Sequence, residues 1–180
     1  RRFMDMELSQ LDKIYLSNLI NYNKVVNQRN KLLKELSFKS SEEKLETLDI
    51  WDLQLVKYGT EVMKRRVGFV QELNEIIGGL HEKLSGGTEK LTIEYQPCVE
   101  ETTFLDTVTK MRERDLRMKS TCFGPHKDDL IFFINGSEVK KYGSQGQQRT
   151  AALSLKLAEI ELVKKVVKDT PVLLLDDVLS

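Results

Sequence analysis

The 180-residue chain is 40% hydrophobic and 31% charged, an ordinary balance for a folded globular protein, and its 28 basic and 28 acidic residues cancel to zero net charge. Any nucleic-acid contact therefore has to come from a local patch rather than from a global field. Cys98 and Cys122 follow no ligand spacing, only His81 and His126 accompany them, and no apolar run reaches the roughly 18 residues of a membrane span, which points to a cytoplasmic protein with reduced thiols and no zinc, signal peptide or membrane contact.

From about Asp5 to Leu36, Leu8, Leu11, Tyr15, Leu19, Tyr22, Val26, Leu33 and Leu36 recur at the three-four spacing of one narrow helical stripe, with the stem of Arg29 filling a slot. The polar stretch from Ser37 to Ser41 breaks that helix. A second stripe runs through Leu45, Leu48, Trp51, Leu55, Val62, Phe69, Leu73, Ile76, Leu80 and Leu84, and two long helices on a short loop predict an antiparallel hairpin. Gly59 and Gly68 lie inside the second helix, each at a cost of roughly 0.5 to 1 kcal/mol relative to Ala, and mark places for a bend or break. Between positions 13 and 39, Lys13, Lys24, Arg29, Lys31, Lys34 and Lys39 face a single acid, Glu35. That pattern reads either as a phosphate-binding stripe or as a solvated face.

Leu91, Ile93 and Tyr95 alternate with polar residues as a strand does, and Pro97 ends it. Thr102 or Thr103 caps a helix that carries Phe104, Val108 and Met111 on one side as far as about Lys119, and Thr121 to Phe123 predicts a short strand. After the Gly124-Pro125 turn, His126, Asp128 and Asp129 form either an acid-base cluster or a turn that positions the next strand, Leu130 to Ile134. Asn135-Gly136 then predicts a hairpin, because both central positions of a type I′ turn need positive φ.

The most informative stretch begins at Tyr142. Gly143-Ser144-Gln145-Gly146-Gln147-Gln148-Arg149 places a hydroxyl and loose backbone N–H groups at the start of a helix, where unsatisfied donors and the helix dipole favour a phosphate. Ser144 also reads as an ordinary helix cap. The helix predicts a buried face of Leu153, Leu157, Ile160 and Val163 or Val167. Beyond Pro171, Val172 to Leu175 suits a strand buried on both faces, ending in Asp176 and Asp177 at the edge where doubly wound sheets bind ligands.

Ser144 to Arg149 resembles the signature motif of ABC-type ATPases, and Leu173 to Asp177 resembles their Walker B strand. With Gly124-Pro125-His126-Lys127-Asp128-Asp129, Thr150 to Lys156, Arg1 to Asp5 and Tyr22 to Asn30, the wording is similar to the RecF family of bacterial recombinational repair ATPases along essentially the whole chain. The resemblance implies an α/β fold with a helical insertion: an antiparallel helical-hairpin arm over 1–88, then over 89–180 the signature and Walker B part of an ABC-type head. Leu84-Ser85-Gly86-Gly87 imitates the commonest ABC signature, but it follows a helix and precedes a strand, so its glycines predict a helix stop.

The resemblance further implies that two subunits dimerise on ATP, so that Ser144, Gln145, Gly146, Gln147 and Gln148 of one cover phosphates held by the other, Gln147 with side-chain donors. Gln145 departs from the pattern, standing where the familiar signature has glycine. Asp176 would help hold Mg²⁺, and Asp177 would orient the attacking water where most ABC enzymes have Glu, the shorter carboxylate implying slow turnover. DNA, single-stranded or gapped, is the implied partner, with Lys24, Arg29, Lys31 and Lys34 as contact candidates. A RecR-type mediator and roles in gap repair, replication and the SOS response go with it. No window fits the phosphate loop G-x-x-x-x-G-K-[ST], so that loop is expected upstream of Arg1 and the chain alone is expected to be inactive. The rivals are the head of another SMC-like ATPase and a helical-hairpin interaction module with no ATPase role.

Overall fold

The computed structural model describes residues 1–38 and 41–167. Its contacts divide the chain into two compact units, one made of 1–70 with 94–131, the other of 71–93 with the chain from 132 onward. The boundary expected at 88 falls inside the second of these.

In the first unit, helices α1 (Arg2–Leu11), α2 (Lys13–Leu36) and the start of α3 (Glu42–Leu84) form the arm. The single helix expected from Asp5 to Leu36 is interrupted at Asp12. Its backbone is extended, with φ −135 and ψ 103, and its carboxylate accepts the N–H groups of Ile14 and Tyr15 at 2.9 Å, so Asp12 caps a new helix. Helices α2 and α3 run antiparallel, as expected. Leu32, Leu33 and Leu36 pack with Leu48, Tyr22 lies against Gly59, and Tyr15 meets Arg66.

Helix α3 is continuous over 43 residues, without a break at Gly59 or Gly68. Gly59 is there for packing instead: a Cβ on it would lie 2.6 Å from the Phe104 ring and 3.1 Å from the Tyr22 ring. The buried line of α3 passes through Leu48, Asp52, Leu55, Val62, Arg66, Phe69, Leu73, Ile77 and His81. Asp52 and His81 therefore occupy slots of the seam that an apolar count assigns to Trp51 and Leu80, Arg66 fills a slot that the count passes over, and Ile77 stands in place of Ile76.

The helix expected between Thr103 and Lys119 is split into α4 (Phe104–Lys110) and α5 (Arg112–Met118) at Met111, and Thr103 makes no side-chain cap. The strand expected at Thr121 to Phe123 does not form, because side chains take its backbone donors. Asn30 Oδ1 accepts the Thr121 N–H at 2.7 Å, and Asp115 Oδ1 accepts the Cys122 N–H at 2.9 Å.

The sheet has the order β1 (Leu91–Gln96), β2 (Asp129–Ile134), β3 (Ser137–Glu138). Strands β2 and β3 are antiparallel, with Phe133 opposite Glu138 and Ile134 opposite Ser137, and the turn carries Asn135 at φ 49 and Gly136 at φ 80, as expected. In the second unit the side chain of Asn74 bonds both the N–H and the carbonyl of Ile93, at 2.8 and 2.7 Å, which ties β1 to the end of α3. Two helices follow, α6 (Val139–Tyr142) and α7 (Gln145–Val167). The buried face of α7 runs through Ala151, Ser154, Ala158 and Leu162. Leu153, Leu157 and Ile160, expected there, are half-buried neighbours, because small residues line the close-packed face. No helix among the described residues is long and apolar enough to cross a membrane.

Candidate functional site

The approach to α7 is fixed by sterics. A Cβ on Gly143 would stand 2.5 Å from the Val139 carbonyl oxygen, so the short turn from α6 into Ser144 needs glycine. Ser144 and Gln147 then form a reciprocal capping box. The Gln147 N–H donates to Ser144 Oγ at 3.2 Å, and the Ser144 N–H donates to Gln147 Oε1 at 2.9 Å. Gln148 Nε2 donates to the Gly143 carbonyl at 3.1 Å, which closes the loop.

Ser144, Gln145 and Gly146 are exposed. The capping box uses the Ser144 oxygen only as an acceptor, so its hydroxyl proton stays available. The N–H groups of Gln145 and Gly146 lie in the first turn, where a helix offers no internal acceptor. A Cβ on Gly146 would have Ser144 Oγ as its nearest contact, at 3.8 Å, so nothing among the described residues requires glycine there. Its absence leaves the space above the Ser144 hydroxyl open, and three donors around an open space at a 23-residue helix N-terminus suit a phosphate oxygen. Gln147 differs from expectation. Its Nε2 donates to Glu89 Oε1 at 2.8 Å, so this side chain braces the loop rather than reaching out as a phosphate donor. Glu89 carried no motif, and sequence reasoning missed it.

On the arm, Lys24, Lys31 and Lys34 are exposed, but Arg29 does not belong with them. It is fully buried, donating from Nε to Asp52 at 2.6 Å and from Nη1 to Asp115 at 2.6 Å and Thr121 Oγ1 at 3.0 Å. It occupies an apolar slot of α2, and a buried charge needs charged partners inside, so it cannot serve as a surface contact for DNA.

His126 and Asp128 are structural. Arg66 donates to Asp128, to the Pro125 carbonyl and to Asp5, while Asp128 also accepts from Tyr95 and from the Cys98 N–H. Burial and then the Asp128 charge hold the Tyr95 hydroxyl far above its ordinary range. His126 Nε2 faces the Thr121 carbonyl at 2.9 Å and must donate, so Nδ1 accepts from the Tyr22 hydroxyl at 2.6 Å. Burial pulls the His126 pKa down and keeps the ring neutral. Asp129 is exposed and bonds the Leu130 N–H. These contacts favour the turn-positioning reading over an acid-base cluster.

At the end of α3, Gly86 and Gly87 adopt φ 67 and 81, which confirms the helix stop. Asp176, Asp177, the strand from 171 to 177 and Lys39 lie outside the described residues.

No family model matches the chain. A protein of Lachnospira eligens named DNA replication and repair protein RecF is 64% identical over 180 residues, covering 100% of this chain and 50% of its own length. One of the same name from Halalkalibacterium halodurans is 47% identical over 190 residues, covering 100% of this chain and 51% of its own. A solved structure described as the recombination mediator protein RecF with ATP in the RecFOR pathway aligns with a TM-score of 0.91 at 37% identity, over 99% of this chain and 49% of that one. The chain thus spans about half the length of the curated relatives it matches.

Proposed function

We propose that this chain, which belongs to the RecF family, supplies the part of an ATP site that acts across a dimer in a DNA repair and recombination ATPase. The observation that carries the reading is the exposed start of α7, with the Ser144 hydroxyl and the Gln145 and Gly146 N–H groups left as donors around an open space. They donate to γ-phosphate oxygens of ATP held by a second copy, where pre-set donors stabilise charge that develops during transfer. Gln147 and Gln148 shape the loop that presents them. The relative solved with ATP supports the choice of nucleotide, and the names of the relatives support a role in replication and repair.

The finer points rest on the sequence. Asp176 would hold Mg²⁺, which neutralises phosphate charge when bound, and Asp177 orients water with a short carboxylate, giving slow turnover. The function is cytoplasmic gap repair on single-stranded or gapped DNA, linked to replication and the SOS response. A RecR-type mediator is the protein partner, and Lys24, Lys31 and Lys34 of the arm contact DNA phosphates.

The test uses the full-length protein. Ser144→Arg fills the space that the second copy's phosphate must enter, so ATP binding by the monomer persists while ATP-induced dimerisation and phosphate release are lost. Asp177→Asn keeps the dimer and lowers turnover by about 10² to 10⁴. Sedimentation with and without ATP, beside a phosphate-release assay, reads both. Dimerisation by Ser144→Arg, or parent-rate hydrolysis by Asp177→Asn, would show the assignment to be wrong.

A further inference from the structure

Behind the signature loop a chain of hydrogen bonds leads into the core of the second unit. Gln147 Nε2 donates to Glu89 Oε1 at 2.8 Å, Glu89 Oε2 lies 3.1 Å from His81 Nε2, and His81 Nδ1 lies 2.9 Å from Ser154 Oγ. Ser154 gives its one proton to the Thr150 carbonyl at 2.8 Å, so its oxygen must accept from His81 Nδ1–H. The second ring nitrogen then faces the Glu89 carboxylate. His81 and Ser154 are fully buried, which gives Glu89 a rigid anchor in an otherwise exposed turn.

The turn itself is built to deliver that carboxylate. The Glu89 N–H donates to Ser85 Oγ at 3.3 Å, and Gly86 and Gly87 supply the positive φ values that reverse the chain between them. The segment that imitates an ABC signature therefore has its own purpose, which is to place Glu89.

Resting on the reading of Ser144 above, the geometry points to Glu89 as a positioning residue for the trans-acting signature, holding Gln147 through a carboxylate oriented by His81. Gln147 has both ends of its amide engaged, Oε1 on the Ser144 N–H and Nε2 on Glu89. Without Glu89 the amide is free to rotate, the Ser144 N–H loses a fixed acceptor, and the first turn of α7 frays at the point where its donors must meet phosphate. Glu89 touches no nucleotide in this arrangement. Its effect passes through Gln147, and so it belongs to the dimer and not to the ATP affinity of a monomer.

The experiment compares Glu89→Ala, Glu89→Gln and Ser144→Arg in the full-length protein. Glu89→Ala should lower kcat by roughly 10- to 100-fold, since displacement by about 1 Å remote from the chemistry costs on the order of 10². It should weaken ATP-induced dimerisation in step, with ATP affinity of the monomer unchanged. Glu89→Gln can still accept from Gln147 while its amide donates to His81 Nε2, so it should restore most of both. Parent-like turnover and dimerisation in Glu89→Ala, or equal loss in Glu89→Gln, would overturn the inference. If Ser144→Arg still dimerises on ATP, the underlying reading fails instead, and the two failures are distinguishable.

Discussion

Replacing Arg29 by Ala tests whether the most basic-looking helix of the arm is held together by its charge rather than displaying it. The guanidinium makes charge-assisted bonds to Asp52 and Asp115, both 2.6 Å long, and each bond of this kind contributes roughly 1.5 to 3 kcal/mol. Asp52 keeps Arg112 at 2.6 Å after the change, which limits the damage on that side. Asp115 is left 1% exposed with the Cys122 N–H as its remaining support. Breaking a buried pair in this way costs about 3 to 5 kcal/mol, which for a unit of this size lowers Tm by roughly 10 to 20 °C. Arg29→Lys keeps the charge but cannot reach both carboxylates from one fork, and should recover about half of the loss. Urea unfolding followed by circular dichroism measures both variants. Arg29→Ala within about 1 kcal/mol of the parent would refute the reasoning.

Gly59→Ala should destabilise despite the better helix propensity of Ala, because its Cβ meets the buried Phe104 ring at 2.6 Å, whereas Gly68→Ala should gain up to about 1 kcal/mol, since among the described residues its Cβ would meet just Arg65 Nη1, at an ordinary 3.5 Å; a gain at both sites in the same unfolding assay would contradict the packing. His126 is held neutral by burial, so the unfolded chain takes up a proton near the ordinary value of 6.5 that the folded chain refuses. The unfolded state then binds more protons, and stability falls as pH drops below that value, by up to about 1.4 kcal/mol per pH unit, until the depressed folded value is reached. His126→Gln should flatten this slope relative to the parent, and an identical slope would exclude His126 as its source. Charge reversal of Lys24 and Lys31 in the full-length protein should reduce the salt dependence of DNA binding by about one unit of slope for each phosphate no longer neutralised; an unchanged slope leaves these lysines as a solvated face.

Much of the fold was legible because periodicity reports burial. The hairpin of α2 and α3, strand β1 and the Asn135-Gly136 turn all follow from spacing and from the few residues that accept positive φ. What escaped has a common cause. Along α3 the three-four register does not stop at Asp52, Arg66 and His81, but an apolar count steps aside to Trp51 and Leu80 and passes over Arg66 altogether. Each of these titratable residues has a partner distant in sequence: Arg29 for Asp52, Asp5 and Asp128 for Arg66, Ser154 for His81. A charged residue standing in an apolar register was the available signal, and it pointed to a buried pair whose other member the sequence could not name. Glu89 lacked even that, since it lies in a turn and takes its role from the fold around it.

The two readings left open for Ser144, helix cap and phosphate ligand, prove compatible once donors and acceptors are counted separately. Capping occupies acceptors: the Ser144 oxygen takes the Gln147 N–H, and Gln147 Oε1 takes the Ser144 N–H. A phosphate needs donors, and the cap leaves the Ser144 hydroxyl proton and the Gln145 and Gly146 N–H groups for it. The cap even helps, because it fixes the oxygen whose proton must point outward and holds the first turn in register. A serine that merely capped would tolerate Ala at position 146, where the nearest atom to the new Cβ is 3.8 Å away. Among the described residues nothing at that position calls for glycine, whereas a phosphate entering from outside would, so the absent side chain is the part of the motif that bears on ligand rather than cap.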